Sequence, residues 1–170
     1  DEDILLRYIQ NSDRKINFII APNEISNNPK RIKKDLGDES ILYSDIKSNT
    51  SLQEFSCLIV DNIGMLSALY NYSSISYVGG GMGKKGLHNT LEPAYFSKPI
   101  IIGKNYQKFE EANEMIKNGN MISISNYNEF YNAIESIIDN ENLLIKMSKK
   151  CTEYFDLSLI HISEPTRRPI

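Results

Sequence analysis

The chain alternates short, almost purely apolar runs with longer segments in which apolar residues recur at helical spacing. Residues 16–21, for example, read Ile-Asn-Phe-Ile-Ile-Ala and are followed by Pro22. A nearly continuous apolar run that ends at a turn residue is typical of a strand buried on both faces of a sheet. The sequence therefore predicts six strands, at residues 16–21, 41–43, 57–60, 75–78, 100–102 and 121–124.

Helices are predicted between these strands. Asn28 followed by Pro29 indicates a helix start, with Asn as the cap and Pro in the first helical position, and Gly37 is a plausible stop. Apolar residues at helical spacing predict the others, at residues 1–14, 64–70, 89–96, 109–117, 127–138 and 142–155. Alternating strands and helices predict an α/β fold, a doubly wound parallel sheet with right-handed crossovers and ligands at the carboxyl ends of the strands.

Composition narrows the class of protein. The 170 residues suit one domain, and 41% hydrophobic with 24% charged residues is normal for a globular chain. The net charge is −3 and basic residues are scattered, which argues against a nucleic-acid partner. No apolar run approaches the ~18–20 residues that cross a bilayer. Cys57 and Cys151 lie too far apart for a metal knuckle, and a reducing, cytoplasmic setting is the simpler inference.

The last fourteen residues differ from the rest. Residues 157–167 read Leu-Ser-Leu-Ile-His-Ile-Ser-Glu-Pro-Thr-Arg, which resembles the translation of a sequencing-library adapter. We therefore interpret 1–156 as the natural domain and 157–170 as a non-native tail, so that His161 receives no role. The alternative is a genuine short tail after a helix that ends near Phe155.

The most informative stretch is the glycine-rich segment at residues 77–92, where a predicted strand runs into glycines. Gly80 and Gly81 let the main chain approach a ligand closely. A helix predicted from Asn89 would direct its first N–H groups at a phosphate, with Lys84 and Lys85 adding positive charge. Glu92, three residues further on, is placed to accept hydrogen bonds from ribose hydroxyls.

Each of these features also has a simpler interpretation. Asn89 with Glu92 matches a capping box, which stabilises a helix and implies no ligand. The lysines are by default a solvated loop face, and His88 is equally a loop histidine. The glycines spell GxGxxG, but the strand at 99–102 is not followed by the acid that a dinucleotide-binding site needs. A Walker-type phosphate loop is absent from the sequence.

Beyond these features, the segment resembles the signature region of the 3-deoxy-D-manno-octulosonic acid (Kdo) transferases, inverting glycosyltransferases of the GT-B fold. The family shows Gly-Gly, a variable loop, His-Asn-x-Leu-Glu-Pro, an apolar helix, Lys-Pro and a Gly. This sequence supplies the same order with His88, Asn89, Leu91, Glu92, Pro93, Lys98, Pro99 and Gly103. Asp61-Asn62-Ile63-Gly64-Met65 is similar to a second family motif, Asp-Thr-x-Gly-Glu. The resemblance covers roughly residues 1–156.

The resemblance implies that the domain binds the cytidine monophosphate (CMP) part of CMP-Kdo. The implied donor-binding residues come from three segments of the chain. They are Pro22 and Asn23; Ile63, Gly64 and Met65; and Gly80, Gly81, Lys84, Lys85, His88, Asn89, Thr90, Leu91 and Glu92. The sequence departs from the family at Asn23, where Arg or His is common, at Met65, where Glu is usual, and at Gly81, where Ser is frequent.

The resemblance further implies transfer of Kdo to a lipid A precursor in lipopolysaccharide biosynthesis, without a cofactor or a protein-bound metal. In the family the general base and the membrane anchor lie in an N-terminal domain, and the whole enzyme works at the cytoplasmic face of the inner membrane. A strand usually precedes position 1, and a further helix follows the domain. We therefore expect a soluble piece truncated at both ends, lacking its first strand, marginally stable and inactive alone, with no catalytic residue of its own.

Two alternatives stay open at this point. The first is another GT-B enzyme that uses a uridine nucleotide sugar, either a glycosyltransferase or an epimerase. The second is a non-catalytic α/β binding module in which Asn89 and Glu92 are only a helix cap.

Overall fold

The structure is a computed structural model that describes residues 1–24, 26–84 and 86–163. It divides into two compact units. The first unit comprises residues 2–73, and the second comprises the residues from Ser74 onward together with Asp1. Residues 164–170, the second half of the predicted non-native tail, lie outside the described residues.

The first unit is a three-stranded parallel sheet packed with helices. Its sheet order is β1–β3–β2, and Ile59 at the centre pairs with Ile20 on one side and Leu42 on the other. Leu6, Ile20, Ile32 and Ile59 form part of its buried core. The elements are α1 (Glu2–Asn11), β1 (Phe18–Ile20), α2 (Asn28–Leu36), β2 (Ser40–Leu42), β3 (Cys57–Ile59) and α3 (Leu66–Tyr70).

The second unit is also a three-stranded parallel sheet, with the order β4–β5–β6. Ile100, Ile101 and Ile102 of the central strand are all fully buried, as expected for a strand covered on both faces. The elements are β4 (Ser76–Val78), α4 (Leu91–Tyr95), β5 (Ile100–Gly103), α5 (Glu110–Asn118), β6 (Met121–Ile124), α6 (Tyr127–Asp139) and α7 (Glu141–Ser163).

Local sequence explains where several helices begin and end. Asn126 caps α6: its side-chain oxygen accepts a hydrogen bond from the Glu129 amide at 3.0 Å, and its amide donates to the Glu129 carboxylate at 2.9 Å. This side-chain pairing resembles a capping box. The helix α5 ends at Gly119, which takes the left-handed conformation with φ 81°.

The predicted α/β class is confirmed, and all six strands lie at their predicted positions. The strands form two parallel sheets of three strands each, where the sequence suggested one doubly wound sheet. In the described residues β1 and β4 are each paired on one side, by β3 and β5 respectively.

Several helix boundaries differ from the sequence prediction, and two of the differences lie in α2 and α7. The cap of α2 is Asn27 and not Asn28, because the Asn28 side chain instead donates a hydrogen bond to the Glu2 carboxylate at 3.0 Å. The last helix continues to Ser163 and does not end near Phe155. Residues 141–163 contain no glycine or proline, so the stretch has no residue that would break the helix. None of the helices described is both long and apolar enough to traverse a membrane.

Both cysteines should resist thiol reagents while the protein is folded. Cys57 and Cys151 are almost fully buried, and burial raises both thiol pKa values, that of Cys57 to about 12. At pH 8 a thiol with that pKa is roughly one part in 10,000 thiolate, the form that reacts. We expect neither cysteine to react with a disulfide reagent in native buffer and both to react in denaturant. Rapid native reaction of either cysteine would contradict this burial.

Candidate functional site

The loop that follows β4 packs its main chain directly against the main chain that ends β5. A β-carbon at Gly81 would lie 2.8 Å from the amide nitrogen of Gly103, and a β-carbon at Gly103 would overlap the Gly81 backbone. Real β-carbons do not approach that closely, so both positions require glycine. A third glycine, Gly80, has φ +88°, and a β-carbon there would overlap the carbonyl oxygen of Gly86.

Asn105, the second residue after β5, holds this loop in place. Its amide N–H donates to the carbonyl oxygen of Gly81 at 2.8 Å. Its side-chain amide donates to the carbonyl oxygen of Gly83 at 2.9 Å. The loop is therefore fixed by both the backbone and the side chain of the residue that leaves the neighbouring strand.

The Asp1 carboxylate occupies main-chain donors of the same loop. One carboxylate oxygen accepts from the Gly80 N–H at 3.0 Å, and the other accepts from the Met82 N–H at 3.2 Å. The Tyr77 hydroxyl donates to this second oxygen at 2.8 Å. Successive N–H groups in such a loop form a concavity that binds anions. Here a carboxylate of the protein itself fills it.

Tyr77 is held as a hydrogen-bond donor by its surroundings. Its ring packs edge-on against the buried ring of Phe130, with centroids 5.2 Å apart. Burial raises the pKa of the Tyr77 phenol to about 12, so the hydroxyl stays protonated at neutral pH. Sequence reasoning missed Asp1, Tyr77 and Asn105, because none carries a motif and two of them act on residues far along the chain.

The predicted motif at residues 88–92 forms the end of the loop and the start of α4. His88 is exposed, its N–H donates to the carbonyl oxygen of Gly79 at 3.0 Å, and its ring lies beside Gly79 and Gly80. Asn89 is also exposed, and Glu92 is half-buried. His88, Asn89 and Leu91 are thus exposed where the loop enters α4.

Two details of this motif differ from the sequence prediction. The helix begins at Leu91 rather than at Asn89 and is five residues long. The Leu91 N–H is hydrogen-bonded to the Asn89 side-chain oxygen at 3.0 Å, so one of the amides expected to face a phosphate is occupied. Thr90 is 1% exposed, so contact between its side chain and a ligand would require this segment to move.

The remaining candidates lie in the first unit, at the carboxyl ends of two neighbouring parallel strands. Pro22 and Asn23 follow β1, and Ile63, Gly64 and Met65 follow β3. The two strand ends stay adjacent, because the Val60 N–H donates to the Ile20 carbonyl oxygen at 2.8 Å.

Side chains in the loop after β3 mostly face solvent. Ile63 is 88% exposed, and Gly64 has φ +93°, a conformation that favours glycine. The sulfur of Met65, at the start of α3, accepts a hydrogen bond from the Asn62 side-chain amide at 3.1 Å. Asp61 instead binds the loop after β2, accepting hydrogen bonds from the Ser44 amide at 3.0 Å and from the Ser44 hydroxyl.

The predicted donor-binding residues therefore fall into two sets. Gly80, Gly81, Lys84, His88 and the residues of the motif up to Glu92 share one loop and one short helix in the second unit. The other five belong to the first unit, and Lys85 lies outside the described residues. In the described part of the chain, no group of three or more His, Cys, Asp or Glu side chains is arranged to hold a metal.

Comparison with known proteins finds relatives over most of the chain. A 3-deoxy-D-manno-octulosonic acid transferase of Rickettsia typhi is 32% identical over 151 residues, 85% of this chain and 32% of the relative. The enzyme of the same name from Rickettsia bellii is 33% identical over 150 residues, covering 84% and 35%. A bifunctional glycosyltransferase/methyltransferase of Fusobacterium nucleatum is 35% identical over 128 residues, covering 74% and 20%. No family model matches the chain.

A solved structure shares the fold. The crystal structure of the C-terminal CMP-Kdo binding domain of WaaA from Acinetobacter baumannii superimposes with a TM-score of 0.75 at 21% identity. The match covers 89% of this chain and 79% of that one.

The parallel sheets and the glycine loop after β4 give the chain a Rossmann-like fold, which the solved domain shares, and the relatives place it in the class of the glycosyltransferases. Within that class the chain belongs to the 3-deoxy-D-manno-octulosonic acid transferases and corresponds to their C-terminal domain. It spans about a fifth to a third of the length of the curated relatives described above.

Replacing Gly81 or Gly103 by alanine should destabilise the second unit. The added β-carbon meets backbone in both cases, so we expect the free energy of unfolding to fall by more than about 2 kcal/mol. Gly83→Ala is the matched control, because a β-carbon there meets nothing within 4 Å, and its change should stay within about 0.5 kcal/mol. Urea denaturation followed by circular dichroism measures all three. Equal stability of Gly81→Ala and Gly83→Ala would contradict the contact.

Thr90→Val tests whether the Thr90 hydroxyl stabilises the protein in the absence of a ligand. The Thr90 hydroxyl is buried without a hydrogen-bond partner among the described residues, which is unfavourable. Replacing it by a methyl group of similar size should leave stability unchanged or raise it by up to about 1 kcal/mol. A loss larger than about 1 kcal/mol in the same denaturation experiment would show that the hydroxyl is paired.

Proposed function

We propose that this chain is the donor-binding part of an enzyme that transfers Kdo from CMP-Kdo to a lipid A precursor. The observation that carries the proposal is the His-Asn-x-Leu-Glu-Pro motif, His88 to Pro93, which lies on the loop and short helix after β4. Its support comes from the transferase names of the relatives and from the CMP-Kdo binding domain that shares the fold. Parallel α/β folds bind nucleotides at this end of the sheet.

In the proposed reaction the acceptor hydroxyl oxygen bonds to the anomeric carbon of Kdo while the bond from that carbon to the CMP phosphate breaks. The electron pair leaves with CMP, and a general base takes the hydroxyl proton. This domain would stabilise the departing phosphate and take no proton itself. The proposed reaction uses no cofactor and no protein-bound metal.

Lys84 and His88 are the side chains that we assign to the phosphate. Both are exposed on the loop between β4 and α4. The N–H groups of Gly80, Met82 and Leu91 already donate to Asp1 and Asn89, so a cationic side chain has the larger part in binding the anion. A lysine ammonium serves this purpose as a mobile point charge.

Glu92 is assigned to the ribose hydroxyls of CMP. It lies in the first turn of α4 and is half-buried, a position in which a carboxylate accepts charge-assisted hydrogen bonds. The alternative is a helix cap made by Asn89 and Glu92. In the structure the Asn89 side chain accepts from the Leu91 N–H, and the cap position of α4 is Thr90, without a side-chain cap hydrogen bond. The assignments of Pro22, Asn23, Ile63, Gly64, Met65 and Lys85 rest on the family resemblance.

The general base and the acceptor site belong, in this proposal, to an N-terminal domain outside the chain. The same domain would contact the membrane at the cytoplasmic face of the inner membrane. Kdo transfer by the chain alone would contradict this division of labour.

Calorimetric titration of the chain with CMP, UMP and UDP tests the proposed donor. We expect CMP to bind more tightly than UMP and UDP. Glu92→Gln should weaken CMP binding about tenfold, because charge-assisted hydrogen bonds to the ribose are lost. Its unfolding temperature without nucleotide, compared with that of the wild type, separates lost binding from lost stability.

Glu141→Gln is the control for a loss of one negative charge, since Glu141 is exposed in the first turn of α7. It should leave CMP affinity unchanged. Preference for a uracil nucleotide would replace the Kdo assignment by another GT-B enzyme. A Glu92→Gln variant that is less stable but binds CMP normally would favour the non-catalytic module.

A further inference from the structure

In the glycine loop, residues 79–90 between β4 and α4, two main-chain N–H groups that could bind an anion are already hydrogen-bonded. Gly80 and Met82 direct their N–H groups at the two oxygens of the Asp1 carboxylate, at 3.0 and 3.2 Å. Each N–H group carries one proton, so neither can donate to a phosphate while this contact exists. The usual main-chain anion site of such a loop is filled from within the protein.

Both Tyr77 and the conformation of the loop hold the Asp1 carboxylate against the loop N–H groups. The Tyr77 hydroxyl donates to the same carboxylate at 2.8 Å, and the Tyr77 ring is fixed against Phe130. On the loop side, Gly80 is held in its φ +88° conformation, with its α-carbon against the carbonyl oxygen of Gly86. A carboxylate with three donors is well satisfied, so a competing phosphate would have to displace it from all three donors.

We infer that Asp1 is a specificity-determining residue, whose carboxylate makes the site select nucleoside monophosphates and disfavour nucleoside diphosphates. This inference rests on the proposed function, because it concerns the same nucleotide site. The negative charge lies inside the loop that carries Lys84 and His88. One phosphate at these side chains is tolerated, whereas a second phosphate adds negative charge next to Asp1 with the Gly80 and Met82 amides already occupied.

The test compares CMP and CDP as probes of the chain and of two variants. Wild-type protein should bind CMP at least about tenfold more tightly than CDP. Asp1→Asn removes the charge and keeps one of the two oxygens that accept from the loop, so it should lower this preference about tenfold. The change should shrink when the salt concentration is raised from about 0.05 to about 0.5 M, because the Debye length then becomes several-fold shorter.

Tyr77→Phe is the matched control. It removes one hydrogen bond to the same carboxylate and leaves the charge, so the ratio of CMP to CDP affinity should stay that of the wild type. Equal shifts of the ratio in Asp1→Asn and Tyr77→Phe would show that loop geometry, not charge, is responsible, and would overturn the inference.

The remaining outcomes separate this inference from the proposed function. Wild-type protein that binds CMP and CDP equally well overturns the role of Asp1 and leaves the CMP site in place. An unchanged ratio in Asp1→Asn does the same. Failure of the wild type to bind CMP overturns the proposed donor site together with the inference drawn from it.

Discussion

The main chain of Gly81 passes against the main chain of Gly103, and the shape of the candidate site depends on this contact. β4 and β5 are paired in register up to Val78 and Ile102, and the two chains then stay together beyond their strands. Asn105 can bridge to the loop only because of this proximity. The position of Lys84 and His88 at the end of the sheet follows from a packing of backbone on backbone that no residue with a β-carbon allows.

The glycines therefore serve a different purpose from the one that the sequence suggested. The sequence suggests that the glycines after the strand let the main chain approach a ligand closely. In the structure Gly80 and Gly81 bring the loop close to Gly86 and Gly103, and the N–H groups of Gly80 and Met82 donate to Asp1. Anion binding then depends on side chains, which is a weaker and more adjustable arrangement than a rigid cradle of amides.

Sequence reasoning predicted the elements well and the contacts between them poorly. Buried parallel strands are apolar throughout, so runs such as Ile100–Gly103 are visible in the sequence. The hydrogen bond between Asp1 and Gly80 joins residues 79 positions apart and has no local signal. Asn followed by an acid three residues later fits a helix start with or without a ligand. In the structure Asn89 accepts from the Leu91 N–H, and Thr90 holds the cap position of α4.

A loop of this kind places particular demands on its ligand. When amides are consumed within the protein, each additional negative charge on the ligand must be neutralised by a cationic side chain or remain unfavourable. A sugar that is joined to its nucleotide through a single phosphate, as Kdo is in CMP-Kdo, presents the smallest anionic group that a nucleotide sugar has. The filled loop and the proposed donor are thus compatible for one electrostatic reason, and a diphosphate donor would need the Asp1 contact to be broken first.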